Sequence, residues 1–114
     1  MLVLLATVAA QAMTPTAAHD ADLRCLFAYS FALGRMSEDP ATTEQQKTEV
    51  TTIVMYYLGK LDGRRPGTDL VREMNRITND AGYLEKGLKP DIDRCGAEVT
   101  GRANYLQSFG ESGK

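Results

Sequence analysis

The chain has 114 residues, with 13 Lys and Arg against 15 Asp and Glu and a formal net charge of -2. That is the length of one small domain, and its charge balance excludes a basic footprint for nucleic acid over the whole chain. Apolar residues make up 43%, enough for collapse rather than disorder, whereas one His and two Cys are too few for an ordinary Cys/His zinc site.

Residues 1–12 read MLVLLATVAAQA, apolar from Leu2 to Ala10 apart from Thr7. A run this short falls below the roughly 20 residues that a spanning helix needs. It fits the apolar region of a secretory signal, with Ala10-Gln11-Ala12 as the small-x-small cleavage site and Thr16-Ala17-Ala18 as a second candidate. A buried N-terminal helix is the alternative. No Lys or Arg precedes the run, so either the start amine serves alone or the start lies upstream of Met1. Export would place the chain in an oxidising compartment, periplasmic or extracellular. Only one intramolecular pairing of Cys25 and Cys95 exists, 70 positions apart. A reactive thiol or redox pair is the alternative, but the usual C-x-x-C spacing is absent.

Residues 13–21 are small, polar and Pro-containing, and the expectation is a flexible leader. Asp20 or Asp22 is the expected cap of a first helix to about Met36; apolar on most faces, it belongs at the centre of a bundle. Ser37 to Thr42 contains Pro40 and reads as a loop. Thr43 and Gln46 form a capping box before Val50, Ile53, Val54, Tyr57, Leu58 and Leu61, which share one helical face. Gly63 is the expected left-handed stop, followed by an exposed basic turn to Gly67. Thr68 is then the expected cap of a third helix with Leu70, Val71, Met74 and Ile77 as its buried stripe. Asp80 is placed to start a short helix carrying Tyr83 and Leu84. Pro90 suits the first position of the last helix, whose stripe is Ile92, Cys95, Val99, Ala103 and Leu106. Residues 110–114 read as a flexible tail.

The expectation is therefore all-α: a small four- to five-helix bundle over residues 22–109, with one disulfide joining first and last helices. Little in it suggests catalysis. His19 falls in the leader, no serine sits in G-x-S-x-G, and no phosphate-binding glycine loop is present. Asp91 and Asp93 suit the dipole at a helix start better than paired acid–base work. No catalytic, cofactor-binding or metal-ligating residue is expected, and a non-enzymatic domain follows. Two surfaces carry an interaction reading: Lys60, Arg64 and Arg65, clustered with Asp62 around the Gly/Pro turn, suit an acidic partner or an anionic headgroup, and Tyr56 with Met55 suits a protein-binding surface; a solvated helix end and a tyrosine packed in the bundle are the plainer readings.

The order of features resembles the HdeA/HdeB-type periplasmic acid-stress chaperones. The resemblance rests on a signal-like start, Cys25-Leu26-Phe27 in an early helix, Tyr56-Tyr57-Leu58-Gly59, Ile77, and the approach from Pro90 to Cys95. It covers about Asp22 to Leu106. The segment between the cysteines is longer than that family's usual one, and the dense mixed-charge tails are missing. The resemblance implies a disulfide-bonded helical bundle, often a homodimer at neutral pH, that loosens in acid and holds unfolding clients. A small inhibitor or immunity-type protein against one secreted enzyme is the alternative. Either way the partner is a protein, with no nucleic acid, no stable membrane insertion after signal cleavage and no cofactor. A small hydrolase would need a catalytic dyad, and none is legible.

Overall fold

The computed structural model describes residues 15–112, and the signal-like segment 1–12 lies outside them. The chain is all-helical over the described residues: α1 (Pro15–Glu38), α2 (Glu44–Arg64), α3 (Leu70–Thr78), a π-helical turn (Tyr83–Gly87) and α4 (Leu88–Ser112). Helix α1 is the centre, packed against α2, α3 and α4. Ala21, Leu23 and every residue from Cys25 to Tyr29 are buried, so the all-round apolar character of this stretch is matched by neighbours on all sides.

Helix α1 begins earlier than the expected leader allows. Pro15 takes the first helical position, where its missing N–H costs nothing. Asp20 and Asp22 are therefore interior residues and not caps. The capping box at the start of α2 is present: Gln46 N donates to Thr43 Oγ1 at 3.1 Å and Thr43 N donates to Gln46 Oε1 at 2.9 Å. Tyr57 and Leu61 are fully buried, while Val50, Ile53, Val54 and Leu58 are partly buried against them. Gly63 does not end the helix, which continues to Arg64; the left-handed glycine is Gly67, at φ 82°.

The cap of α3 is Asp69, whose side chain accepts from Arg72 N at 3.1 Å; Thr68 instead donates to the Arg65 carbonyl at 2.8 Å. Ile77 is buried, but Val71 is 72% exposed, because α3 presents only a narrow edge to α1. The expected short helix near Asp80 is the π-helical turn, with Tyr83 inward and Leu84 outward. The Tyr83 ring meets Phe27 edge-on at 5.7 Å between centroids. Pro90 is the third residue of α4 rather than its first. Ile92, Cys95 and Val99 pack on the core, but every residue from Thr100 to Gly110 is exposed, so Ala103 and Leu106 continue the stripe beyond anything it packs on. The helix itself runs past Gly110 to Ser112.

Cys25 and Cys95 are bonded, fully buried, with a Cα–Cα distance of 5.7 Å. Two tyrosines reinforce the joint. Tyr57 donates to the Cys95 carbonyl at 3.0 Å and Tyr29 to the Ile92 carbonyl at 2.6 Å. Gly96 makes room for the second of these, since a methyl group there would stand 2.5 Å from the Tyr29 hydroxyl oxygen. Among the described residues no helix is long and apolar enough to cross a membrane.

Closing a loop of this length stabilises a fold by about 4 kcal/mol in the chain-entropy model. The Cys25→Ala/Cys95→Ala variant should therefore lose most of the stability of the oxidised protein. Urea unfolding of the two forms, followed by far-ultraviolet circular dichroism, measures the difference.

Candidate functional site

Asp22 is an interior residue of α1 with a side chain only 6% exposed. A carboxylate so placed needs cations. Helix α2 supplies two from one face: Lys60 Nζ reaches Asp22 Oδ1 at 3.1 Å and Arg64 Nη1 reaches Oδ2 at 2.8 Å. Lys60 also donates to Glu98 Oε2 of α4 at 2.7 Å, and Tyr56, one turn back, donates to the same oxygen at 2.8 Å. The chain Arg64–Asp22–Lys60–Glu98–Tyr56 thus spans three helices. Tyr56, Lys60 and Arg64 fall four residues apart, the spacing that aligns side chains on one helical face.

The protonation preferences follow from this packing. Burial pulls the Lys60 ammonium down, but hydrogen bonds to Glu98 and Asp22 outweigh it and hold it above the ordinary lysine range. Burial likewise pushes the Glu98 carboxyl up, yet donation from Lys60 and Tyr56 prevails and lowers it below 4.5. Tyr56 is raised by burial and by its bond to Glu98.

A second polar knot lies on the other side of α1. Asp91, buried in the first turn of α4, accepts from Tyr83 at 2.7 Å and Arg94 at 3.0 Å, with Arg24 Nε 3.4 Å away. Arg94 also donates to the Ala21 carbonyl at 3.3 Å. Asp91 is therefore a tie between α4, the π-helical turn and α1, beyond its favourable place at the helix start. Asp93 points elsewhere, 3.5 Å from Lys89.

The expected interaction residues are thereby divided. Tyr56 and Lys60, half-buried, and Arg64, at the exposed end of α2, are engaged in holding the bundle through Glu98 and Asp22. Arg65 is the one of the four with no side-chain partner among the described residues, and it borders a cleft of about 570 Å³ with His19, Thr68, Asp69, Arg72, Glu73 and Arg76. His19 was expected in a flexible leader; it is a residue of α1 and only 5% exposed. Its imidazole is held below the ordinary 6.5 by burial and then by the charges of Arg65 and Arg64. Its Nδ1 is buried and has no hydrogen-bond partner among the described residues. The signal that finds it is helical spacing: His19, Asp22, Leu23 and Leu26 share one face once Pro15 is taken as the helix start.

Two apolar surfaces complete the molecule. A groove of about 400 Å³ between α1, α2 and α3 is lined by Leu26, Phe27, Phe31, Leu58, Leu70 and Met74. The projecting end of α4 exposes Tyr105, Leu106 and Phe109. Among the described residues no cluster of His, Cys, Asp or Glu is arranged to hold a metal ion. No family model, curated protein or solved structure matches the chain.

Replacing Lys60 by Met should destabilise the fold by about 3 kcal/mol, because removing one partner leaves a buried charge under-compensated. The pH dependence has a definite sign. His19 is depressed in the fold, so its contribution is complete above 6.5 and falls as pH drops below that value. Glu98 is depressed too, so its contribution is present above 4.5 and is lost as pH falls further. Urea midpoints between pH 7 and pH 3 should fall in two stages, with His19→Gln flattening the upper one and Glu98→Gln the lower.

Proposed function

We propose that this is an exported, non-enzymatic protein-binding domain that opens in acid and holds unfolding proteins. The observation that carries the reading is an asymmetry in how the helices are tied. Helices α1 and α4 are joined covalently, whereas the ion pairs of α2 to both run through the carboxylates of Asp22 and Glu98, beside one neutral hydrogen bond from Tyr57 to the Cys95 carbonyl. Protonating those groups removes the acceptors of Lys60 and Arg64 and leaves two cations at a helix interface. The disulfide limits how far the chain can then expand. The groove lined by Phe27, Phe31, Leu58 and Met74 lies between the covalently held α1 and the acid-sensitive α2, so loosening α2 widens an apolar surface for clients. The sequence pattern shared with the HdeA/HdeB-type proteins supports the same reading.

The exposed Tyr105, Leu106 and Phe109 favour a second reading, that of an inhibitor or immunity-type protein with one secreted target. Such a surface is available at neutral pH and requires no opening. The two readings differ in stoichiometric binding to a single protein at neutral pH.

Light scattering from an acid-denatured client separates them. The oxidised protein should suppress aggregation at near-stoichiometric ratio at pH 2–3 and leave it unchanged at neutral pH, with a parallel rise in binding of an apolar fluorescent dye. Glu98→Gln, already lacking one acceptor charge, should begin to suppress aggregation at a higher pH than the parent. Unchanged aggregation at low pH would remove the acid-holdase role.

A further inference from the structure

The cleft beside His19 has a composition that the bundle itself does not use. Its wall brings together an imidazole from α1, the Arg65 guanidinium just after α2, and the Arg72 guanidinium from α3. The other charges of the wall are already engaged. Arg76 is paired with Asp20 at 2.6 Å and with Glu73 at 3.1 Å, and Asp69 caps α3 through Arg72 N. Among the described residues Arg65 and Arg72 take part in no ion pair and the buried His19 Nδ1 has no hydrogen-bond partner. An orphaned buried nitrogen is costly unless a ligand satisfies it.

We propose that this cleft binds a phosphate-type oxyanion, with His19, Arg65 and Arg72 donating to it from three separate elements. Donors converging from three elements suit a tetrahedral oxyanion; a planar carboxylate is satisfied by one guanidinium fork. The ligand is inorganic phosphate, a phosphomonoester or a phosphate headgroup, all of which share that chemistry.

The site explains the state of His19 in the unliganded fold. Arg64 and Arg65 on the side of α2 oppose its protonation, while Glu73 of α3 and Asp22 of α1 favour it less strongly. A bound dianion would reverse that balance. Binding of the anion and protonation of His19 are then coupled, each strengthening the other by the same factor.

His19 is the single histidine of the chain, so its imidazole proton resonances report the site without assignment ambiguity. The oxidised protein is titrated in a zwitterionic buffer, then with saturating inorganic phosphate, then with sodium chloride at equal ionic strength. Phosphate should move the His19 midpoint upward by about one pH unit, a tenfold coupling, and chloride should not. Arg65→Gln and Arg72→Gln should each remove at least half of that movement, and together nearly all of it. Both side chains lie outside the ion pairs of the bundle, so these variants keep the fold. A second readout is thermal: phosphate should raise the melting temperature of the parent at pH 6 and leave His19→Gln unchanged. Vesicles containing phosphatidic acid form a parallel arm. A response to vesicles alone assigns a headgroup, a response to phosphate alone assigns a free anion, and either supports the site. The proposal is overturned if neither probe moves the midpoint, if chloride moves it equally, or if the double arginine variant retains the movement. None of these outcomes depends on low-pH client binding.

Discussion

A carboxylate that is almost entirely withdrawn from water must be met by positive charge, and Asp22 imposes that condition from the middle of α1. The two cations that answer it, Lys60 and Arg64, are one turn apart on α2. Their position sets the rotation of that helix. With Lys60 and Arg64 over Asp22, Tyr57 and Leu61 are carried into the core, and Tyr56 is carried to Glu98 of α4. The tyrosine hydroxyl beside Cys95 then supports the disulfide. A polar requirement at one residue thus organises the apolar packing around it. Such buried polar ties are costly in themselves; what they supply is a single register in place of several near-equivalent helix orientations.

The parts of the fold that were legible in the sequence are those written locally. The capping box of Thr43 and Gln46 involves residues three apart, and the apolar belt around Cys25 needs no knowledge of its neighbours. The pairing of two cysteines has a single solution. What escaped depended on distant partners. Asp22 and Lys60 meet across 38 positions, and nothing near Lys60 distinguishes it from a solvated helix end. The stripe on α4 keeps its period past Val99, yet periodicity reports a face and not what covers it. Thr68 and Asp69 are both competent caps, and the choice fell to the one whose neighbour Thr68 could instead close the turn onto Arg65. The place of His19 in a helix is hidden because the small residues before it resemble a leader, although Pro15 is also a helix opener.

The polar groups are distributed about α1 by role. Glu98, Asp22 and Asp91 tie helices together and are consumed by that task. The His19 cleft, on a face shared by α1 and α3 and the turn between α2 and α3, keeps donors that the bundle does not require. Arg64 and Arg65 are adjacent in sequence but serve opposite sides of this division, one committed to Asp22 and the other bordering the cleft. A perturbation at Asp22 therefore reaches the cleft through a single peptide unit.

The Cys25–Cys95 bond also makes the backbone between those residues a closed ring, with α2, α3 and the π-helical turn inside it and the residues before Cys25 and after Cys95 outside it. The exposed connections at 39–43 and 65–69 belong to the ring. A protease that cuts either one opens the ring without releasing a fragment, and the nicked protein gains only the mass of one water until it is reduced. A cut in the exposed end of α4, by contrast, sheds a fragment at once. The topology makes the molecule tolerant of damage in the connections that flank α2, the segment whose loosening would be required in acid, and leaves the exposed last turns of α4 where a single cleavage sheds part of the chain.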